Sequence, residues 1–372
     1  MKATLNKKEI LPVLSRIQGL TGRKTNLAIT TNVLVQTTES GISLSATDLE
    51  TGFEGFYAAK IESEGIIAIN GRKFYEIVRD FPSDDIYIHE VENHWIEIGN
   101  ENVEYHIVGL NPDDFPEIPK IEGIEFFEVD SGALANMIEK TVIINGAPDD
   151  TRAHIIGVLA EHIHQDKQHL FRLVSTDGSR LSKADYLFDK DVSSAANLNV
   201  LIPKKGLVEV AKFLNNEGSV LVGVKDNNFI VKKDKETLII RLLEGEFPQY
   251  HDIILMRDGH DIHLDRQLFL MMLKRMSILS SDEYKGVIFN FSENKLLINS
   301  TNPDIGESKE SMDISYQGDP IEVMYNPKFF IDTLSVIHED NLVVNIIDEE
   351  KPCKLEGEKD KTYLSVIMPM RI

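Results

Sequence analysis

Cysteine is almost absent from this 372-residue chain, where Cys353 stands alone. That excludes a disulfide framework and any cysteine-rich zinc or iron–sulfur site, and it suits a reducing cytosol. Long apolar runs are missing as well. No stretch approaches the roughly 20 apolar residues of a membrane span. The opening MKATLNKKEILPVL is broken by Lys7, Lys8 and Glu9 before a signal-peptide core is reached. The expectation is a soluble cytoplasmic protein with no membrane partner. Positive charge is scarce too: 39 Lys and Arg stand against 61 Asp and Glu, a net charge of −22. Taken whole, such a surface repels phosphates and argues against a nucleic-acid ligand. Disorder is excluded, because 42% of the residues are hydrophobic and disorder needs low hydrophobicity beside high charge.

What is present is a threefold repeat. GISLSATDLETG at 41–52, HLFRLVSTDGSRL at 169–181 and KLLINSTNPD at 295–304 are alternating strands that run into polar turns, with Thr47, Thr176 and Thr301 at matching places. Each turn is followed by a helix opening at Arg72-Lys73, Lys204-Lys205 or Pro327-Lys328, then by another alternating strand. A further helix heads each unit, striped by Ile10, Leu14 and Ile17, by Leu134, Ile138 and Val142, and by Leu268, Met272 and Met276. Phe330, Leu334 and Ile337 stripe the last helix in the same way. The pattern predicts an α+β fold of three tandem units, 1–125, 126–250 and 251–372, each with two helices covering one face of a sheet. The seams, PDDFPEIPKIEG and EGEFPQYHD, are rich in proline and acid. Pro12 is awkward inside the first helix, because it removes a backbone donor.

The charge is unevenly spread. The six helices hold sixteen cationic against seven acidic side chains, a local charge of +9 that leaves −31 on the remainder. Long cations without clustered Asn, Gln or Arg suit phosphate contact rather than base readout. A solvated helix face is the simpler reading of any one of these helices; the alternative is that equivalent helices from all units line one basic surface.

Other chemistry finds little support. His154, His162, His164 and His169 fall within sixteen residues, but a metal site needs three or four convergent ligands, and a polar hairpin edge is the simpler reading. Gly19-x-x-Gly22-Arg23-Lys24-Thr25 has the wrong spacing for a phosphate loop. Asp84-Asp85 and Asp149-Asp150 read as turn formers rather than as a Mg²⁺ pair for nuclease work. Cys353 has no neighbouring His, and no Ser/His/Asp spacing or GxSxG motif occurs. No catalytic residue, metal or cofactor is expected.

Seven segments carry a resemblance: ATDLE at 46–50, NPDDFPEIP at 111–119, STDGSRL at 175–181, IPKKG at 202–206, LLEGEFPQY at 242–250, YKGVIFNFSENKLLINSTNP at 284–303 and VIMPMRI at 366–372. In order and spacing they resemble the bacterial DNA polymerase III beta subunits, the sliding-clamp family, over essentially the full chain. The resemblance implies a DNA-clamp fold whose homodimer closes a six-domain ring, a processivity factor in DNA replication with no catalysis of its own. It implies double-stranded DNA, the DNA polymerase III catalytic subunit, the clamp loader and other proteins with a clamp-binding motif as partners. The DNA-facing positions it implies are Arg23, Lys24, Lys73, Arg152, Lys204 and Lys205. A partner-peptide pocket is implied at Ile155, Thr176, Gly178, Arg180, Leu181, Pro248, Ile253, Val366, Met368, Pro369, Met370 and Arg371. Tyr105, Ile278 and Leu279 occupy the family's subunit-contact positions, with Lys73, Glu307 and Glu310 as ion-pair candidates. Departures are Ala153 and His154 where aromatics are common, Ser179 where histidine is usual in the TDG-x-RL turn, and Asp252 where a basic residue is common.

Overall fold

A computed structural model describes the chain except residues 23–25, 120–121, 145, 147–149, 166–167, 189–197, 216, 257, 281–284 and 372. Nine α-helices are present among the described residues: α1 (Lys7–Arg16), α2 (Gln18–Thr21), α3 (Gly71–Asp80), α4 (Ser131–Val142), α5 (Ala153–Ile156), α6 (Lys204–Phe213), α7 (His251–Leu255), α8 (Arg266–Met276) and α9 (Pro327–Val336). The long ones start where a side chain replaces the missing intrahelical acceptor. Asn6 accepts from Lys8 N at 3.0 Å, Asn70 from Lys73 N at 3.0 Å, Asp130 from Ala133 N at 2.8 Å, Asp265 from Leu268 N at 2.7 Å and Asn326 from Lys328 N at 3.0 Å. Helix α6 is the exception, since Pro203 precedes it and offers no side-chain cap. Helix α1 runs on through Pro12, which lies on its exposed side.

The chain folds into two compact units, which do not follow the sequence repeat. The first gathers Met1–Ala135 with Ile202–Leu242; the second holds most of the rest, including everything described after Leu243. The middle repeat is thus divided, and the cut falls inside α4.

In the first unit one sheet of twelve strands runs from the edge strand Glu104–Val108 through Trp95–Gly99, Asp85–Glu90 and Lys2–Asn6 to Thr51–Ser63. It continues through Glu236–Arg241, Asn228–Lys233 and Ser219–Lys225 to Phe127–Asp130. Thr51–Ser63 is long enough to serve two partners: Thr51–Gly55 pairs with the strand at 236–240, and Ala59–Ser63 pairs with Lys2–Leu5. Helices α1 and α3 pack together over a core that includes Ile10, Leu14, Phe53, Phe74 and Phe213.

The second unit holds an eight-stranded and a four-stranded sheet. In the larger sheet Tyr363–Ile367 lies between Arg180–Leu187 and Cys353–Gly357. The smaller sheet ends in the edge strand Gly306–Asp313. Phe269, Phe289, Tyr325 and Phe330 interlock under α8 and α9, with ring centres 5.1–6.0 Å apart in the closest pairs. One expected stripe is corrected here. Met272 and Met276 are buried as expected, but Leu268 is 64% exposed, and Phe269 and Leu273 complete the buried face of α8 in its place. Capping by Asp265 fixes the helix phase, and that phase turns Leu268 outward.

Candidate functional site

The Thr-Asp turn of the second repeat builds one wall of an apolar hollow in the second unit. Thr176 Oγ1 donates to Arg180 O at 2.7 Å and accepts from Gly178 N at 3.1 Å. Asp177 Oδ1 accepts from Ser179 N and Arg180 N, each at 3.0 Å, while its other oxygen lies 3.0 Å from Arg180 Nε. Gly178 takes φ +88° with open space around it, so conformation rather than crowding calls for glycine. The Arg180 guanidinium is further held by Asp332 at 2.8 Å and lies 4.3 Å from the centre of the Phe329 ring. The turn is therefore rigid, and its cation is spent inside the protein.

Behind the turn, Leu181 pairs with Val366 across the sheet, and Met368 N donates to Ser179 O at 2.9 Å. The segment 247–253 closes the far side. The resulting cavity of about 160 Å³ is lined by His154, Thr176, Gly178, Arg180, Leu181, Phe247, Pro248, Gln249, Tyr250, Ile253, Val366 and Met368. Eight of the twelve expected pocket residues meet there. Ile155 is buried and does not line it, and Arg371 lies outside it. Pro369 and Met370 border an adjoining, wider hollow that also reaches Gly178, Arg180 and Met368. Sequence reasoning missed four of the lining residues: His154, and Phe247, Gln249 and Tyr250, for which the proline-marked seam EGEFPQYHD was the available signal.

A buried polar network backs this hollow. The Tyr250 hydroxyl donates to Glu161 and receives Arg172 Nη1 at 3.4 Å; Arg172 grips Asp185 through two bonds of 2.6 and 2.9 Å. Lys183 reaches the same Asp185 at 2.5 Å. Burial raises the Glu161 pKa and lowers that of Lys183.

The first repeat builds the same turn without the same hollow. Thr47 Oγ1 donates to Thr51 O at 3.0 Å, and Asp48 Oδ1 accepts from Glu50 N and Thr51 N. Leu49, at φ 77°, stands where Gly178 stands. Gly52 replaces Leu181, and Ile118 moves in: a Cβ on Gly52 would meet Ile118 Cγ2 at 3.1 Å. The space left between Leu49, Pro116, Ile239 and Arg241 is ringed by Glu50, Glu117 and Asp226. Of these two repeats, the second offers the mainly apolar floor.

Of the expected DNA-facing cations, Arg23 and Lys24 lie outside the described residues. Lys73 is exposed on α3 and sits 2.8 Å from Glu76. Arg152 is exposed and forked onto Asp150 at 2.7 and 3.1 Å, which holds that carboxyl down at about 2. Lys205 is exposed in the first turn of α6, whereas Lys204 beside it is only 8% exposed. Tyr105 lies on the edge strand Glu104–Val108, half-exposed. Ile278 is 73% exposed in the short 3-10 turn Ser277–Leu279 that follows α8, with Leu279 partly covered beside it. Of the ion-pair candidates, Lys73 meets Glu76 and Glu310 meets Arg275 within the chain.

Family models of the DNA polymerase III beta subunit match in chain order: the N-terminal domain over residues 1–119, the central domain over 128–249 and the C-terminal domain over 256–371. The chain is 27% identical over 374 residues to the beta sliding clamp of Vibrio cholerae, covering all of both chains. It is 26% identical to that of Escherichia coli K12, again over both full lengths. The DNA polymerase III subunit beta of Pseudomonas aeruginosa superposes with a TM-score of 0.90 at 26% identity, covering both chains entirely. The Bacillus subtilis sliding clamp shares the fold at a TM-score of 0.92, with 24% identity over 100% of this chain and 99% of that one.

Proposed function

The chain belongs to the DNA polymerase III beta subunit family, and from that premise we propose that it works as a DNA sliding clamp. Two copies close head to tail into a six-domain ring around duplex DNA in the cytoplasm. The ring catalyses nothing; it holds the replicative polymerase at the primer end by topology, as a tether raises effective concentration. The observation that carries this reading is the ordered match of all three domains across the chain.

The local chemistry supports it. Sliding requires weak, sequence-independent contact, which phosphates supply to long cations. Lys73 and Arg152 already share their charge with an in-chain carboxylate, which tempers their grip. Lys205 is placed differently: it is exposed at the uncapped, positive end of α6, where a phosphate is favoured and a lysine alone is not. Arg23, Lys24 and Lys204 complete the proposed DNA-facing set, with Lys204 contributing least because it is buried. The polymerase, the clamp loader and other partners dock a short apolar peptide in the hollow at Leu181, Val366 and Met368. At the subunit seam, Tyr105 meets Ile278 and Leu279 of the second copy. Apolar burial dominates there, since exposed ion pairs contribute only about 0–1 kcal/mol.

The test is retention on DNA with and without ends. With clamp loader and ATP, the protein should stay on a nicked circle through gel filtration and leave once the circle is linearised. Equal retention on both forms would refute the ring. Deleting Met368–Ile372 should abolish peptide binding by fluorescence anisotropy while leaving the dimer intact; unchanged affinity would refute the pocket assignment.

A further inference from the structure

Three consecutive strands at the edge of the twelve-stranded sheet place histidines and carboxylates side by side. The register sets His89 opposite Glu97, and Glu97 opposite His106. Directly opposed residues share one face, with Cβ atoms about 4.5–5.5 Å apart. Glu104 lies two residues before His106, hence on the same face. The opposite face carries Ile86, Ile88, Ile96 and Ile98 in the core, so the strands that present the row are fixed.

From this juxtaposition we infer that His89, Glu97, Glu104 and His106 bind one divalent transition-metal ion of the zinc class. His89 Nδ1 lies 3.3 Å from one oxygen of Glu97, and His106 Nδ1 lies 3.9 Å from the other. His106 Nε2 also contacts Glu104. Single donor atoms of Glu97, Glu104 and His106 fall within 4.8 Å of one another. Bonds of about 2.0–2.1 Å in a tetrahedron separate neighbouring donors by roughly 3.4 Å, so small side-chain rotations complete the site. Two imidazoles and two carboxylates suit Zn²⁺, Co²⁺ or Ni²⁺ rather than Ca²⁺ or Mg²⁺, which prefer oxygen throughout. With neutral imidazoles the two carboxylates balance the dication.

The surroundings agree. Every donor group is partly exposed, so an ion enters from solvent. Lys2 is next in the row beyond His89, but its ammonium is held by Glu62 at 2.9 Å. Gly99 separates Tyr87 from Glu104 in register, and the absent side chain leaves room for the Tyr87 phenol.

The other histidine group serves as a control. His162, His164 and His169 stack with interplanar angles of 16° and 9°. Ring nitrogens of His162 and His169 are already hydrogen-bonded to each other at 3.0 Å, so this pair is the alternative metal site that the same titration must exclude.

The experiment uses the full chain, stripped with EDTA and titrated with Zn²⁺ in a calorimeter. One ion per chain is expected. His89→Ala with His106→Ala should weaken binding by about 100-fold, and Glu104→Gln alone by about 10-fold. His162→Ala with His169→Ala should leave it within about two-fold. Circular dichroism confirms that each variant folds. Absence of Zn²⁺ binding by the parent chain overturns the proposal. So does binding that survives in the 89/106 variant or is lost in the folded 162/169 variant.

Discussion

At the residue scale the Thr-Asp turn shows how one local design is reused under different strain. Leu49 and Gly178 occupy the same place with positive φ. A left-handed conformation costs a non-glycine residue about 1–2 kcal/mol. Leu49→Gly should therefore raise stability by about 0.5–1 kcal/mol and Gly178→Ala lower it by about 1 kcal/mol, read from denaturation midpoints. Glu161 gives a pH prediction. Burial raises its folded pKa above the ordinary 4.5. Its contribution is thus complete below 4.5 and is lost as pH rises through the raised value. Glu161→Gln keeps an acceptor for Tyr250 without the charge. Parent stability should fall relative to this variant as pH is raised above 4.5, in parallel urea titrations; a constant difference would refute the assignment. The turns were legible because Thr47 and Thr176 stand in repeated patterns. Leu268 was not, because periodicity alone accommodates either side of a helix whose phase is set by a cap.

At the scale of elements, strand edges and caps matter most. The strands Glu104–Val108 and Gly306–Asp313 each end a sheet, leaving backbone donors and acceptors open to another chain. The first also exposes Tyr105 and Val108. Ile278→Ala with Leu279→Ala should shift the protein from dimer to monomer in native mass spectrometry; a persistent dimer would count against that seam. Caps are easier to grade. Asn70→Ala should cost about 1 kcal/mol by removing the acceptor for Lys73 N, measured by thermal unfolding. Most of the pocket was legible through family resemblance, yet Phe247 and Tyr250 were read only as a seam. Nothing in a proline-marked boundary tells whether it runs free or folds back onto Leu181 and Val366.

At the scale of the molecule, the repeat was legible and the sheet pairing was not. Equal spacing identifies three similar units, but it gives no partner to a strand, and here strands 219–241 join the sheet of the first repeat. Calorimetry should accordingly resolve two cooperative transitions, with residues 1–125 alone failing to show the first; three independent transitions would contradict the division. The shared strand Thr51–Ser63 has a consequence during synthesis. Its partner Glu236–Arg241 is made some 180 residues later. At about 5–20 residues per second, that is a wait of roughly 10–40 s. Through that interval the nascent chain carries one unpaired strand edge at Thr51–Gly55, the other edge being already paired with Gly41–Thr47. A chaperone that shields it would set the yield of folded protein more than the stability of the finished fold does.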